Sequence, residues 1–458
     1  MRTIVLLAAL ALGVADCGPE QASQPAAGGL AFVRCGDVEP EPDVTRPPRH
    51  LHCAQLSRRD SAGNDQILQL LLVSDRTEAP LTDRKVLVYH PGGPGISAME
   101  LTEQDPPDVD LGRWVVLAWD GTTASTNRGS CGPLSSRFGV DRTAENLAGD
   151  APAVGHECLQ GFGGPEDVGA EAAAEELEDI RSILGVERLD LLTLSYGTAI
   201  AEVYLRTQPH RVGRAVLDGP MALEVSWADR LGAVGAALAT ESSAIAASCR
   251  TERCTALAGA QGGVTYATLR RAILGANPVV GGGQTALTPT MFDQAALLSL
   301  RSEASWAGWS NAIDAALGGD ATDLWAIAEK EYFDLDRAVF YRSLCADIHR
   351  PPGPAAYGLM ADDLLRTYAS ALAPCVAFPD RDLPAPAGGA SPQVLLVASP
   401  HDVLTPAALL ASADELRELG TVCMTDVVGH TSYRDAEVGA LEIAFLATGD
   451  TGAGICER

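Results

Sequence analysis

A serine at a strand-to-helix turn is the first residue whose type and position could support chemistry. The apolar run Leu189–Leu194 predicts a buried strand, Ser195 follows it, and Ala199–Thr207 has a helical pattern. Such a turn lifts the serine hydroxyl clear of the sheet, and the amide of Tyr196 is placed to stabilise an oxyanion. The usual motif is G-x-S-x-G, but Thr193 occupies the first glycine position. Taken alone, the motif is weak support for a catalytic serine.

An acid and a histidine follow this serine along the chain. The apolar run Val394–Ser399 predicts a strand, and Asp402 lies on the loop after it. Another short strand is predicted over Met424–Val428, and His430 follows it. In a serine-aspartate-histidine triad the histidine takes the serine proton, while the aspartate fixes the imidazole tautomer and stabilises its cation. The α/β-hydrolase fold places the three residues in this chain order.

A glycine-rich turn over residues 91–95 directly follows the predicted strand Lys85–His90. Glycines let backbone amides approach a substrate carbonyl closely, so this turn would supply a second oxyanion donor. Gly93 is the first choice for that donor. Gly92 is the second choice and a candidate substrate contact. A tight turn without chemistry would explain the same glycines.

The acid and the base also have structural explanations. Asp402 could cap a helix that begins near Pro406, and His430 could be a surface loop residue. His401 precedes the acid and His210 lies at a helix end, so both are poorer candidates for the base. The catalytic interpretation rests on four features that stand in the required order on the required elements.

The elements around these residues alternate between strand and helix. Further strands are predicted over Gln66–Val73, Trp114–Asp120 and Ala215–Asp218, and helices over Ala170–Leu184 and Ala407–Leu419. This alternation predicts a mostly parallel sheet with helices on both faces.

Helical patterns replace strands from residue 222 to residue 386, and strand character returns at Val394. We therefore expect a helical cap over 222–386, inserted into a core formed by 30–221 and 387–458. The polar, proline-rich stretch Gln21–Arg49 is interpreted as a leader tied down by a disulfide.

The N-terminus resembles an export signal, expected over residues 1–22. Met1 and Arg2 precede an apolar run, Ile4–Val14, that is too short to span a membrane. Cys17 stands where bacterial lipoproteins carry an acylated cysteine, although Asp16 replaces the small residue usual before it. A lipid anchor at Cys17 is thus left open, and no membrane span is expected. We expect a secreted protein or a lipoprotein of the cell envelope.

The ten other cysteines are an even number, as disulfides in an exported chain require. Sequence proximity suggests five pairs, with the connectivity left open: Cys35–Cys53, Cys131–Cys158, Cys249–Cys254, Cys345–Cys375 and Cys423–Cys456. Metal-site spacing is lacking, so we expect no metal.

The composition and net charge of the chain limit the classes of partner that it is expected to bind. The 458 residues are 47% hydrophobic and 20% charged, as in globular proteins, with a formal net charge of −27. A field of that sign repels nucleic acid and anionic lipid surfaces. The acidity serves solubility, and it would also attract a cationic group such as a free amino terminus. We expect a monomer without a cofactor.

These motifs resemble the tripeptidyl aminopeptidase and proline iminopeptidase group of α/β-hydrolases, especially its secreted actinobacterial-type members. The resemblance covers nearly the whole mature chain. It is carried by seven motifs: Pro91 to Gly95, Ser195 to Gly197, Leu217 to Gly219, Cys345 to Asp347, Cys375 with Phe378-Pro379, Asp402 to Pro406, and Gly429-His430.

The resemblance implies an acyl-enzyme mechanism and release of short peptides or residues from a free N-terminus. It also implies acidic residues near the cap that bind the substrate amino group, and Asp347 is the candidate. Asp347 could instead cap or pair within the cap. The family's aspartate-x-arginine-glycine segment is replaced here by Asp120-Gly121-Thr122-Thr123, without arginine.

The sequence therefore predicts an exported serine aminopeptidase. The alternative is an esterase, lactonase or amidase that uses the same triad on a small non-peptide substrate, because Thr193 and the segment after Asp120 both depart from the family pattern. A third interpretation is a degenerate hydrolase that serves as a binding protein.

Overall fold

A nine-stranded sheet carries the candidate site. The computed structural model describes residues 30–38, 49–59, 63, 65–77, 84–104, 107–122, 131, 138–159, 167–257, 263–283, 285–334, 336–353, 356–357, 360–388, 391–451 and 456. The strands are β1 Val33–Val38, β2 Arg49–Arg59, β3 Asp65–Ser74, β4 Lys85–His90, β5 Trp114–Asp120, β6 Leu189–Leu194, β7 Val212–Asp218, β8 Gln393–Ala398 and β9 Thr421–Met424. Their order across the sheet is β1-β2-β3-β5-β4-β6-β7-β8-β9.

The six strands from β5 across to β9 run parallel, and β1, β2 and β3 extend the sheet in antiparallel pairs. Every residue of β5 and β6 is buried, as is all but the first residue of β4 and β8. Continuous apolar runs are what parallel strands covered on both faces require. The predicted mostly parallel sheet is confirmed.

The described ranges contain fourteen α-helices, some of which cover the two faces of this sheet. They are α1 Ala98–Gln104, α2 Ala144–Leu159, α3 Gly169–Leu184, α4 Tyr196–Thr207, α5 Trp227–Ser248, α6 Glu252–Leu257, α7 Tyr266–Ala276, α8 Pro289–Ser299, α9 Trp306–Leu317, α10 Thr322–Asp334, α11 Arg337–Asp347, α12 Asp363–Ala371, α13 Asp414–Glu418 and α14 Ala436–Thr448. On one face α3 and α4 bury Ile180 and Ile200, and on the other α1 and α14 bury Met99 and Phe445.

Eight helices, α5 to α12, lie between β7 and β8 in the described ranges. Many of them share an apolar cluster of their own around Phe292, Trp309 and Ile313. In the described part of the chain that connects β7 to β8, strand-like pairing is limited to isolated bridges. These helices therefore form an insertion between two strands of the sheet. The boundaries of the predicted cap, at residues 222 and 386, stay predictions.

Two predicted segments differ from the structure. The strand expected over Met424–Val428 is wrong, because β9 ends at Met424 and the Val427 carbonyl accepts from the Ser399 hydroxyl instead of a strand partner. The single helix expected over Ala407–Leu419 is a 3-10 helix, Ala407–Ser412, followed by α13. The backbone of Ala413 between them, with φ −120° and ψ 67°, is not helical.

Part of the predicted leader is an edge strand. Residues 33–38 form β1, which pairs with β2 and is linked to it by the Cys35–Cys53 disulfide. Residues 21–29 and 39–48 of the leader, the export signal over 1–22 and Cys17 lie outside the described residues.

Five disulfides join the same cysteine pairs that sequence proximity suggested. Disulfides form and persist in oxidising compartments, so these bonds fit an exported protein. Among the helices in the described ranges, none combines the length and the apolar character needed to cross a membrane.

Gly420, just before β9, lies too close to β8 for a side chain. An added Cβ would be 2.4 Å from the Val394 carbonyl oxygen and 2.6 Å from the Val394 Cβ. Because two strands of the sheet would have to separate, we expect Gly420→Ala to lower the free energy of unfolding by about 1–3 kcal/mol in urea denaturation.

Gly232, on α5, is the matched control, since an added Cβ there meets nothing within 4 Å. We expect Gly232→Ala to be neutral or to stabilise by roughly 0.5–1 kcal/mol through helix propensity. Equal effects of the two substitutions would contradict the packing argument.

Candidate active site

Ser195 occupies a strained turn between β6 and α4. Its backbone has φ 52° and ψ −124°, a conformation that residues other than glycine rarely adopt, and its amide donates to the Asp218 carbonyl oxygen at 2.9 Å. Two residues further on, a Cβ at Gly197 would lie 2.6 Å from the His90 carbonyl oxygen, so only glycine lets the turn approach β4. The turn presents the Ser195 hydroxyl at the carboxyl end of the sheet.

The threonine that replaces the first elbow glycine is accommodated by the neighbouring strand. Thr193 is buried, and its hydroxyl donates to the Val216 carbonyl oxygen of β7 at 3.0 Å. The side chain therefore satisfies its polar group within the sheet, and the departure from G-x-S-x-G leaves the turn in place.

The structure brings Ser195, Asp402 and His430 into one hydrogen-bonded line. The Ser195 hydroxyl lies 2.7 Å from Nε2 of His430, and Nδ1 of His430 lies 2.9 Å from Oδ2 of Asp402. Oδ1 of Asp402 also accepts the amides of Leu404 and Thr405, at 2.8 and 2.9 Å.

The charge on Asp402 fixes the state of the imidazole. Burial favours the neutral carboxyl, but the neighbouring His430 and the hydrogen bonds to the loop outweigh burial and hold the pKa of Asp402 at about 2. The carboxylate is therefore ionised at neutral pH and holds a proton on Nδ1 of His430. Nε2 is left to accept the proton of Ser195.

Asp218, at the end of β7, ties the serine turn to the histidine turn. Its carbonyl oxygen accepts the Ser195 amide, and Oδ2 of its buried carboxyl accepts the amides of Ser432 and Tyr433, both at 2.7 Å. Burial raises the pKa of Asp218. The sequence marked this residue only as part of a family motif and assigned it no role.

The glycine turn after β4 places Gly93 in the same cavity as Ser195. The Gly92 amide donates to Nδ1 of His90 at 3.3 Å, and burial lowers the pKa of His90 to about 4, so the ring is neutral and can accept. Within the described ranges the amides of Gly93 and Tyr196 donate to no protein acceptor. Those two amides are available to a substrate oxygen.

The cavity over Ser195 and His430 is lined mostly by apolar side chains. Its volume is about 1190 Å³, including its open mouth. The walls are largely apolar: Met221, Leu297, Leu298, Phe340, Leu344, Ile348 and Leu372. The charged residues among those that line it are Arg230, Arg301 and Arg337, and no described lining residue is an aspartate or a glutamate.

The helical insertion contacts both loops of the site. The Asp336 amide donates to the Gly95 carbonyl oxygen at 2.9 Å, and the His430 amide donates to the Arg301 carbonyl oxygen at 2.8 Å. The insertion thus forms the roof of the cavity and also supports the backbone of the glycine turn and of the histidine turn.

Asp347, the predicted ligand of a substrate amino group, is placed differently from the other candidates. Its carboxyl accepts the Tyr196 hydroxyl and the Ala170 amide at the start of α3, and Asp347 is not among the described residues that line the cavity. Asp347 therefore lies behind Tyr196 and pairs with two residues of the core, not within the cap, while its role as a ligand stays a prediction.

Several residues near the site were not singled out from the sequence. Arg230 and Tyr368 line the cavity, and no local pattern distinguishes them from other residues of amphipathic helices. His401 makes no triad contact, because its Nδ1 pairs with Glu241 of α5 at 2.7 Å.

The chain belongs to the α/β-hydrolase family. A profile of the alpha/beta hydrolase fold matches residues 85–349. The serine protease Hip1 of Mycobacterium tuberculosis and of Mycobacterium bovis is 30% identical over an alignment of 165 residues, and the match covers 31% of this chain. The match spans 30% of the length of those relatives.

Solved structures of other hydrolases are similar at low identity. A hydrolase from Pseudomonas aeruginosa is 14% identical, with 86% of this chain and 97% of that chain covered and a TM-score of 0.35. MGS-M2, an alpha/beta hydrolase enzyme from a Medee basin deep-sea metagenome library, is 12% identical over 84% and 96%, with a TM-score of 0.39. TM-scores this low do not support any conclusion about the chemistry of this chain.

Thr193→Val tests whether the threonine at the elbow is structural. The substitution keeps the side-chain volume and removes the hydrogen bond to Val216, so we expect the free energy of unfolding to fall by about 0.5–1.5 kcal/mol. Thr240→Val, at an exposed position on α5, should change it by less than roughly 0.5 kcal/mol. Loss of hydrolysis by Thr193→Val at unchanged stability would show instead that the hydroxyl takes part in the chemistry.

The buried carboxyl of Asp347 should make the free energy of unfolding depend on pH. Burial, opposed by the Tyr196 hydroxyl and the Ala170 amide, raises its pKa to about 7. This folded-state pKa lies above the ordinary value, so the folded protein holds the Asp347 proton more tightly than the unfolded chain does. The free energy of unfolding therefore falls as pH rises from about 4 to about 7.

We therefore expect wild type to lose stability relative to Asp347→Asn between pH 5 and pH 8, by at most about 1.4 kcal/mol per pH unit. Urea denaturation at both pH values measures the difference, with the exposed Asp323→Asn as control. A difference that is constant, or that grows in favour of wild type with rising pH, would contradict the assignment.

Proposed function

We propose that this protein is a serine hydrolase that acts through an acyl-enzyme. The observation that carries the proposal is the pair of contacts made by His430, 2.7 Å to the Ser195 hydroxyl and 2.9 Å to Asp402. Both ends of this line are held by backbone hydrogen bonds, and Ser195 and His430 face one apolar cavity.

In the proposed first half-reaction, Nε2 of His430 takes the proton of Ser195 as the oxygen attacks the substrate carbonyl carbon. The amides of Gly93 and Tyr196 stabilise the oxyanion of the tetrahedral intermediate. The intermediate collapses when His430 returns the proton to the leaving amine or alcohol, and the acyl group remains on Ser195.

In the second half-reaction a water molecule replaces the leaving group. His430 takes a proton from the water as it attacks the acyl carbon, and then returns that proton to the Ser195 oxygen. The products are the free enzyme and a carboxylic acid. Asp402 remains ionised throughout and stabilises the imidazolium in both steps.

The first candidate substrate is a peptide, with the protein acting as an exported aminopeptidase. The partial match to a protein named serine protease Hip1 supports peptide cleavage, and the five disulfides support export. The resemblance to tripeptidyl aminopeptidases and proline iminopeptidases supports attack near a free N-terminus.

The second candidate substrate is a small ester, lactone or amide, and the cavity favours it. An ammonium group needs a carboxylate partner when it is buried, yet the described lining residues include arginines and no acid. Asp347 is already engaged by Tyr196 and Ala170. Among the described residues that line the cavity, none supplies the carboxylate that recognition of an amine would use.

A matched panel of chromogenic substrates separates the two candidates. Tripeptidyl and aminoacyl anilides with free and with acetylated N-termini are compared with short acyl esters, each as kcat/KM. An aminopeptidase requires the free amine, whereas the second candidate hydrolyses esters with no preference for free over acetylated anilides.

Ser195→Ala is the control for every substrate of the panel. Because it removes the nucleophile, we expect it to lower kcat/KM by roughly 10⁴-fold or more. Turnover that persists in Ser195→Ala would contradict the proposed mechanism whichever substrate is cleaved.

A further inference from the structure

Arg230 is a buried cation at the proposed catalytic cavity. It lies on α5, the first helix of the insertion, and 2% of its surface is exposed. It lines the same cavity as Ser195 and His430. The protein therefore shields most of the guanidinium from bulk water. The guanidinium also adjoins the space that a substrate would occupy.

The hydrogen bonds of Arg230 go to neutral groups. Nη2 donates to the carbonyl oxygens of Met221 and Ala222, at 2.9 and 3.0 Å, and the guanidinium also bonds to the Tyr368 hydroxyl. Within the described ranges Arg230 forms no ion pair. Glu202, which is also buried nearby, binds Arg206 and the Leu223 amide instead.

A buried charge without a counter-ion is unfavourable. Transfer of an ion out of water is repaid only by a partner of opposite charge in good geometry. Burial lowers the pKa of Arg230, and the nearby Tyr368 and Glu202 oppose burial without reversing its effect. An anion that entered the cavity would supply the missing charge.

Two further arginines line the same cavity. Arg301 and Arg337 are also among its lining residues, and the described lining contains no carboxylate. This contrasts with the chain as a whole, whose formal net charge is −27. Because Nη2 already donates to Met221 and Ala222, the N–H groups of Nε and Nη1 are the donors of Arg230 that can reach a carboxylate oxygen.

We propose that Arg230 binds a carboxylate of the substrate, so that the preferred substrates are esters or amides that carry a free carboxylate near the scissile bond. Two sources share this chemistry: the second acid group of a dicarboxylic half-ester, and the C-terminal carboxylate of a short peptide. The apolar walls, including Leu297 and Phe340, hold the chain between the two groups. This inference rests on the proposed serine hydrolase mechanism.

Two pairs of substrates test the inference and separate its sources. The first pair is monoethyl adipate and diethyl adipate, and the second is the dipeptide Ala-Ala and its C-terminal amide. Each pair differs in one negative charge. The measurement is the ratio of kcat/KM for the acid to kcat/KM for the neutral partner, at pH 7.5, in wild type, Arg230→Met and Arg230→Lys.

We expect wild type to prefer the acid in at least one pair, and that pair identifies the source of the carboxylate. Arg230→Met should lower that ratio by roughly tenfold or more, as loss of a hydrogen bond to a charged group predicts, and Arg230→Lys should restore part of it. Arg271→Met removes an exposed arginine that does not line the cavity, and it should leave the ratio unchanged.

A second readout does not depend on turnover or on the fold of a variant. Adipate should slow the labelling of wild-type Ser195 by a fluorophosphonate at concentrations where the neutral adipamide does not. Equal effects of adipate and adipamide would overturn the inference, as would ratios below one in both pairs or a ratio that Arg230→Met leaves unchanged.

Failure of this inference is distinguishable from failure of the proposed function. If Ser195→Ala retains turnover, the serine mechanism fails. If Ser195→Ala is inactive and the ratios do not respond to Arg230, the mechanism stands and only carboxylate recognition is wrong.

Discussion

The arrangement of the site depends on the carboxyl end of strand β7. There the backbone of Asp218 holds the Ser195 amide, and its buried carboxyl holds the amides of Ser432 and Tyr433 just after His430. The strained conformation of Ser195 persists only because its surroundings over-determine it. One residue thus fixes the distance between the turns that carry the proposed nucleophile and base, and burial makes this fixation rigid. The loop of Asp402 then completes the line from the end of the neighbouring strand, β8.

The helical insertion gives this frame a cavity and a charge of its own. The hydrogen bonds from Asp336 to Gly95 and from His430 to Arg301 join it to both sides of the site. Its apolar side chains exclude water, which strengthens every electrostatic interaction with a bound substrate. Arg230 adds a buried cation to this space, in a chain whose formal net charge is −27. The residues of the proposed triad follow strands of the sheet, whereas the residue proposed to select the substrate lies on the insertion.

Local patterns in the sequence predict the parts of the site that lie at strand ends. Ser195, Asp402 and His430 each follow an apolar run, and their chain order suffices to suggest that they meet. The sequence predicts a strand that extends to Val428, because Val427 and Val428 are apolar and β-branched. Both residues lie beyond the end of β9. The role of Arg230 was not predictable, since an arginine within a helical pattern usually marks a solvated face. Only the tertiary packing of α5, against the 3-10 helix Ala407–Ser412 and other helices of the insertion, brings it to the cavity.

The central claim is that Ser195 is a nucleophile activated by His430. Labelling of the folded, disulfide-bonded protein with a fluorophosphonate, followed by mass spectrometric mapping of the adduct, tests it most directly. We expect one adduct per chain on Ser195, with release of fluoride, and a labelling rate that falls by roughly 10²-fold or more in His430→Ala because the general base is lost. A folded protein that stays unlabelled, an adduct on another residue, or an unchanged rate in His430→Ala would contradict the claim.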